Sequence, residues 1–126
     1  MEFEYRDGLL FTTIEITYNG KSKLINNMVI DTGASKTLIS ADEVEDIGIK
    51  VEGNDELVVS EGIGGTEVSF VKTVDEIVLD NIAITNKKID FSNIDYEDIN
   101  GLLGLDLLMD AGFIIDLKNL RIFKED

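Results

Sequence analysis

The stretch Met28–Ser40 constrains this chain more than any other, because it places a carboxylate at the end of an apolar run. It reads MVIDTGASKTLIS, which predicts a buried strand that ends at Asp31. Burying a carboxylate is costly unless the group is hydrogen-bonded or paired, so folding alone would rarely select an acid here. Gly33 permits a sharp turn directly behind it. We therefore interpret Asp31 as a functional residue.

The residue types that are missing narrow the possible chemistry. The chain has 126 residues, with no Cys and no His, which excludes thiol nucleophiles, Ser-His triads and nearly all zinc or haem sites. We expect neither a cofactor nor a metal, and any catalysis would use carboxylates. The length fits one domain, residues 1–126, with a core large enough to need no disulfide.

The charge of the chain limits its partners and its location. A formal net charge of -15 disfavours nucleic acids and anionic membranes, which are bound through clusters of Lys and Arg. No basic segment followed by an apolar one begins the sequence, and no apolar run approaches the roughly 20 residues that span a bilayer. We expect no nucleic-acid or membrane partner and a cytoplasmic location.

Alternating apolar residues predict mostly strands. Residues 9–18 and 21–30 are predicted to form a hairpin around Asn19-Gly20, which is a strong turn signal. Residues 1–7 are interpreted as an edge strand or an arm. Further strands are predicted at 57–60, 67–70, 73–79, 82–85 and 88–91.

Two short helices are predicted between these strands. Ser40 and Glu43 form an S-x-x-E capping box before a helix over 41–47, with Gly48 as its stop. The acids of this helix fit a solvated face better than a metal site, since they lack EF-hand spacing. The second helix is predicted after Gly104 and ends at Gly112, followed by a last hairpin over 113–123.

A glycine-rich turn stands between two of the predicted strands. Gly62-Ile63-Gly64-Gly65 is predicted to be the tip of a flexible hairpin. A phosphate-binding loop is the alternative, but no Gly-Lys-Ser/Thr follows and no helix pattern begins there.

The order and spacing of three segments resemble the retropepsin-like aspartic proteases. They are DTGAS at Asp31, GIGG at Gly62 and LLGLD at Leu102, and the resemblance covers most of residues 9–123. It implies a mainly β fold, a closed retropepsin-like barrel forming a single lobe with a flap hairpin and two short helices.

The resemblance also implies roles for individual residues. Asp31 corresponds to the catalytic aspartate, and Thr32 to the residue whose hydroxyl reaches the partner's catalytic loop. Gly33 and Ala34 resemble residues beside the substrate backbone. The flap tip, which binds substrate in this family, corresponds to Gly62, Ile63, Gly64 and Gly65. Leu102, Leu103 and Gly104 resemble the segment that packs under the catalytic loop.

Two departures from the viral members bear on assembly. Retroviral enzymes commonly have Asp where Ser35 stands and Arg where Leu105 stands, and this pair braces their dimer. The last hairpin is longer and more like that of cellular retropepsin domains. Dimer contacts should therefore differ from the viral pattern.

Hydrolysis with carboxylates alone requires two of them, one as general base for water and one as general acid. A single D-T-G in the chain therefore predicts a homodimer that cleaves polypeptide substrates with Asp31 from each copy. Val29, Leu38 and Leu102 are predicted to line apolar side-chain pockets. The alternative is a catalytically silent homodimer that grips an extended peptide in the same cleft.

Overall fold

A computed structural model describes residues 2–62, 65–96 and 98–125. The helices are α1 (Ala41–Val44), followed directly by a 3₁₀ turn (Glu45–Ile47), and α2 (Leu105–Ala111). The strands are β1 (Glu4–Arg6), β2 (Leu9–Tyr18), β3 (Lys21–Ile30), β4 (Leu38–Ser40), β5 (Leu57–Gly62), β6 (Gly65–Leu79), β7 (Ile82–Ser92), β8 (Gly101–Leu103), β9 (Phe113–Asp116) and β10 (Arg121–Lys124).

The hairpin of β2 and β3 has the predicted bounds. Asn19 and Gly20 both take positive φ angles, 49° and 80°, as the tight turn between two twisted strands requires. Ile14 and Ile16 on β2 are buried on the face that the alternation predicted. β1 pairs with the start of β2, so the edge-strand interpretation of the N-terminal residues is confirmed.

The capping-box prediction before α1 was wrong. Ser40 belongs to β4, is buried, and its side chain makes no capping hydrogen bond. The helix is correspondingly short, with one α-helical turn followed by the 3₁₀ turn. The predicted stop is confirmed, because Gly48 has a φ of 89° and its N–H bonds to the carbonyl of Glu45.

The central strands are longer than predicted. The segments predicted at 67–70 and 73–79 are parts of one continuous strand, β6, and those predicted at 82–85 and 88–91 are parts of β7. Asp80 and Asn81 form the turn between β6 and β7. Residues 93–100 contain no strand in the part that is described, as expected for a loop.

Eight strands form one sheet in the order β1-β2-β3-β8-β4-β7-β6-β5. β2 also pairs with β6, so the sheet is ring-like and encloses the core. The core side chains are mostly aliphatic and almost fully buried, among them Ile14, Ile16, Ile25, Met28, Ile39, Ile77, Ile89, Phe91 and Leu103.

β9 and β10 form a separate hairpin near the N-terminus. The N–H of Phe3 bonds to the carbonyl of Leu120 at 2.9 Å, and Ile122 of β10 is fully buried. No helix in the described ranges has the length and apolarity needed to cross a membrane.

Asp116 organises the turn of this last hairpin. Its carboxylate accepts hydrogen bonds from the backbone N–H groups of Lys118 and Asn119, the Asn119 amide and Arg121. The Asn119 side chain makes the largest contribution to lowering the pKa of Asp116, followed by the Asn119 N–H. The turn is therefore stabilised by the ionised form of the acid.

We expect Asp116→Ala to lower the unfolding midpoint at pH 7. Because the pKa of Asp116 is lowered on folding, its contribution is present above the ordinary value and lost as the pH falls through the folded value. The difference from the parent protein should therefore shrink below about pH 4. Urea unfolding at pH 7 and pH 3 measures it, with exposed Asp95→Ala as the control. A difference independent of pH would contradict this account.

Candidate active site

Asp31 lies at the carboxyl end of β3, where the chain leaves the sheet. β8 is inserted between β3 and β4, parallel to the former and antiparallel to the latter. The segment 31–37 must therefore cross the end of β8 to reach β4. The N–H of Asp31 donates to the carbonyl of Leu103 at 3.0 Å. The Asp31 side chain is half-buried, whereas the residues just before it on β3 are buried.

A tight turn orients the Asp31 carboxylate. The N–H of Gly33 donates to Asp31 Oδ1 at 2.9 Å, and the N–H of Ala34 donates to the Asp31 carbonyl at 3.2 Å. A Cβ atom at Gly33 would lie 3.2 Å from Asp31 Oδ1, closer than most side chains allow. Glycine thus lets the backbone approach the Asp31 carboxylate. The second oxygen of this carboxylate, Oδ2, receives no hydrogen bond from the turn.

The segment 31–37 is attached to the start of α2 by backbone hydrogen bonds. The N–H of Leu105 donates to the Ala34 carbonyl at 2.8 Å, and the N–H of Asp106 donates to the Ser35 carbonyl at 3.2 Å. These are unpaired donors of the first turn of a helix, which need acceptors from outside it. The loop that follows Asp31 supplies those acceptors.

The side chain of Asp106 completes this attachment. Its Oδ1 accepts hydrogen bonds from the Thr37 N–H at 2.9 Å, the Thr37 hydroxyl at 2.7 Å and the Leu107 N–H at 2.8 Å. Thr37 is fully buried, and its Oγ1 in turn accepts from the Gly104 N–H at 3.1 Å. Both ends of the segment that carries Asp31 are therefore fixed to β8 and α2.

Gly104 is required by the close packing of this crossing. A Cβ atom at this position would lie 2.6 Å from the carbonyl oxygen of Lys36 and 2.9 Å from that of Ala34. Backbone atoms held by hydrogen bonds cannot move away cheaply. The glycine of the LLG segment is thus explained by its contact with the loop of Asp31.

Three predicted pocket residues lie side by side in the sheet. Leu102 on β8 is directly opposite both Val29 on β3 and Leu38 on β4. Residues opposite each other share a face of the sheet, so the three form an apolar row. Val29 is buried in the single chain, whereas Leu38 and Leu102 are partly exposed. Val29 precedes Asp31 by two residues, and alternate residues of an extended chain face the same side. The row therefore lies on the side of the sheet that carries the Asp31 carboxylate.

The remaining predicted residues lie at the two borders of the site. Thr32 and Gly33 are exposed, and Ala34 is half-buried. Gly62 pairs with Gly65 at the end of the β5–β6 ladder, so the predicted hairpin is confirmed. Ile63 and Gly64 lie outside the described residues.

An acidic group lies beside this crossing. Asp90 on β7 is directly opposite Leu38. Burial raises the pKa of Asp90; Lys36 counteracts this, while Asp106 and Glu56 add to it. Within the described ranges, no group of acidic side chains is arranged to hold a metal ion.

Sequence reasoning missed Thr37 and Asp106. They stand 69 positions apart. Asp106 ends the LLGLD segment, but the segment does not indicate a partner for its carboxylate. The available signal was the position of Thr37 directly before the apolar pair Leu38-Ile39, since a hydroxyl at the start of a buried strand requires a partner.

Comparisons with known proteins agree with this geometry. A model of the aspartyl protease family matches residues 14–107, and the chain belongs to that family. Its structure is similar to that of a retropepsin-like aspartic protease from Rickettsia conorii, with a TM-score of 0.70 and 23% sequence identity over 96% of this chain and 86% of that one. A comparison with curated proteins gave no match.

The protein therefore has the retropepsin-like fold predicted from its three motif segments. Family and fold together place it among the aspartic-type peptidases.

We expect Asp106→Ala to destabilise the protein by about 3 kcal/mol, because it leaves the donors of Thr37 and Leu107 without their acceptor. Asp110→Ala is the matched control on the same helix. Asp110 forms an exposed pair with Lys87, and the loss of a pair of this kind costs about 1 kcal/mol or less. Urea unfolding of the two variants compares them, and equal losses would contradict the role assigned to Asp106.

Proposed function

We propose that the protein is an aspartic endopeptidase that works as a homodimer, with Asp31 of each copy in one active site. The observation that carries this proposal is the placement of Asp31 on a loop fixed to β8 at its start and to α2 at its end, with its carboxylate oriented by Gly33. Because D-T-G occurs once in the sequence, a pair of such carboxylates requires a second copy.

The chemistry needs two carboxylates with different protonation. Two like charges in contact cannot both ionise, so the pair shares one proton. The ionised Asp31 takes a proton from water as the water oxygen attacks the peptide carbonyl carbon. The protonated Asp31 gives its proton to the carbonyl oxygen. The tetrahedral intermediate then collapses and the C–N bond breaks. The leaving nitrogen takes the proton that the first Asp31 removed from water, while the second Asp31 recovers a proton from a hydroxyl of the intermediate.

Thr32 is the proposed contact between the two catalytic loops. It is exposed next to Asp31, and among the described residues its hydroxyl has no hydrogen-bond partner in its own chain. In the proposed dimer, each hydroxyl bonds to the backbone of the other loop and sets the distance between the two carboxylates. Gly33 and Ala34 would border the substrate backbone.

The substrate preference follows from the apolar row and the hairpin. Val29, Leu38 and Leu102 would contact substrate side chains, so cleavage next to apolar residues is expected. The hairpin tip, Gly62–Gly65, would close over the bound peptide and offer backbone hydrogen bonds.

Asp31→Asn tests whether the carboxylate is catalytic. We expect cleavage of a fluorogenic apolar peptide to fall by at least about 1000-fold, because the amide cannot accept the proton from water. The fold should remain, since Asn keeps an oxygen that can accept the Gly33 bond. Circular dichroism checks this.

A peptide-binding module without activity is the rival outcome. It would bind the peptide with similar affinity in the parent and in Asp31→Asn, and neither would cleave it. That result would overturn the proposed hydrolysis while leaving the homodimer intact.

Thr32→Val tests the proposed contact between the loops. We expect the dimer dissociation constant to rise about tenfold, since two symmetry-related hydrogen bonds are lost. Sedimentation velocity measures it. Ser35→Ala is the control, because it removes an exposed hydroxyl from the same loop. Equal effects of the two variants, or cleavage by a monomer, would contradict the proposal.

A further inference from the structure

Lys72 occupies a position that strand alternation assigns to an apolar side chain. On β6 it stands between Phe70 and Val74, which face the same side and are buried. Lys72 is 8% exposed and is the only buried charged residue in the described part of the chain. Burying an ammonium group is costly unless it is paired, so this lysine requires an explanation beyond packing.

The lysine is paired with two acids from the connection that leads to β5. Its Nζ lies 2.6 Å from Glu52 Oε1 and 3.0 Å from Asp55 Oδ2. Glu52 and Asp55 are joined as well, since the Glu52 N–H donates to Asp55 Oδ2 at 2.7 Å and the Asp55 N–H donates to the Glu52 carbonyl at 3.1 Å. We call these three residues the clamp.

The ionised forms of the clamp favour one another. The Glu52 N–H makes the largest contribution to lowering the pKa of Asp55, followed by Lys72. Burial alone would lower the pKa of Lys72, but Glu52 and Asp55 outweigh it and raise this pKa. Lys72 and Asp55 are therefore both ionised near neutral pH.

The clamp lies where the β5–β6 hairpin leaves the rest of the sheet. In the described residues β5 pairs with no strand except β6. β6 pairs with β7 only from Phe70 onward, where Phe70 and Phe91 stack with ring centres 5.6 Å apart. The position of β5 relative to the core thus depends on β6 and on the connection 48–56.

The apolar face of the hairpin is poorly packed. Leu57, Val59 and Val68 are more than half exposed. A groove of about 380 Å³ separates the hairpin from α1 and is lined by residues including Ile49, Leu57 and Phe70. Since this space is open, the hairpin could swing into it if its base were released.

We propose that Lys72 is a positioning residue that, through Glu52 and Asp55, fixes the base of the β5–β6 hairpin and so sets where the hairpin tip lies over the cleft. This inference rests on the proposed function. At a rise of about 3.4 Å per residue, the Gly62–Gly65 end of the ladder lies roughly 20 Å beyond the clamp. Small rotations at the base therefore become large displacements at the tip.

A triple variant removes the charges and keeps the shapes: Lys72→Met with Glu52→Gln and Asp55→Asn. Removing all three charges together leaves no buried charge without its partner. The matched control is Lys23→Met with Glu43→Gln and Asp46→Asn. Lys23 lies 3.0 Å from Asp46 and 3.8 Å from Glu43, so the control makes the same chemical changes on β3, α1 and the 3₁₀ turn.

Hydrogen exchange and steady-state cleavage of an apolar fluorogenic peptide are the two readouts. We expect the clamp variant to exchange faster than the control across 57–69, and its kcat/KM to fall on the order of tenfold, mainly through KM. In the parent protein, Lys72→Arg should leave hydrogen exchange and kcat/KM unchanged, because it keeps the charge. The control should change kcat/KM less than twofold.

Each outcome bears on a different statement. Equal exchange of the hairpin in the clamp and control variants overturns the clamp, whether or not the protein cleaves peptides. Faster exchange with unchanged KM overturns the positioning role. Absence of cleavage by the parent protein overturns the proposed function, and the clamp is then decided by exchange alone.

Discussion

The arrangement of the site depends on the hydrogen bonds that the Asp106 carboxylate accepts. A strand inserted between β3 and β4 forces the chain after Asp31 to cross its end, and such a crossing leaves backbone donors without sheet partners. One oxygen of Asp106 satisfies both the N–H and the hydroxyl of Thr37. Gly104 makes the close approach possible. The carboxylate that carries the proposed chemistry is thus held by a second carboxylate that performs none.

Two parts of the molecule, which we call the floor and the cover, differ in how many hydrogen bonds and strand pairings hold them in place. The floor consists of β3, β8, β4 and the start of α2, joined by ladders and by side-chain bonds. The cover is the β5–β6 hairpin, whose apolar face is exposed and whose base carries the buried Lys72 with its two acid partners. In the proposed peptidase, a site that holds the reacting groups in place and also admits a peptide needs both properties.

The parts of the fold that were predictable are those with local causes. Alternation and Asn19-Gly20 gave the bounds of β2 and β3, and three motif segments gave the family. The S-x-x-E pattern at Ser40 misled because the Ser40 side chain is buried in β4 and makes no capping hydrogen bond. The prediction of separate strands at 67–70 and 73–79 placed Lys72 between them, although acids distant in the sequence allow it to lie inside β6. Partners that are far apart in sequence, such as Thr37 and Asp106, left no pattern that spacing could detect.

The position of β5 at the end of the sheet has a consequence for behaviour in concentrated solution. Its outer edge presents unpaired backbone groups beside the exposed side chains of Leu57 and Val59, which is the kind of surface that templates aggregation. The formal charge of -15 on each copy opposes such contacts between molecules. Salt that screened this repulsion would favour the proposed dimer, and it would equally remove the protection against misassembly along β5.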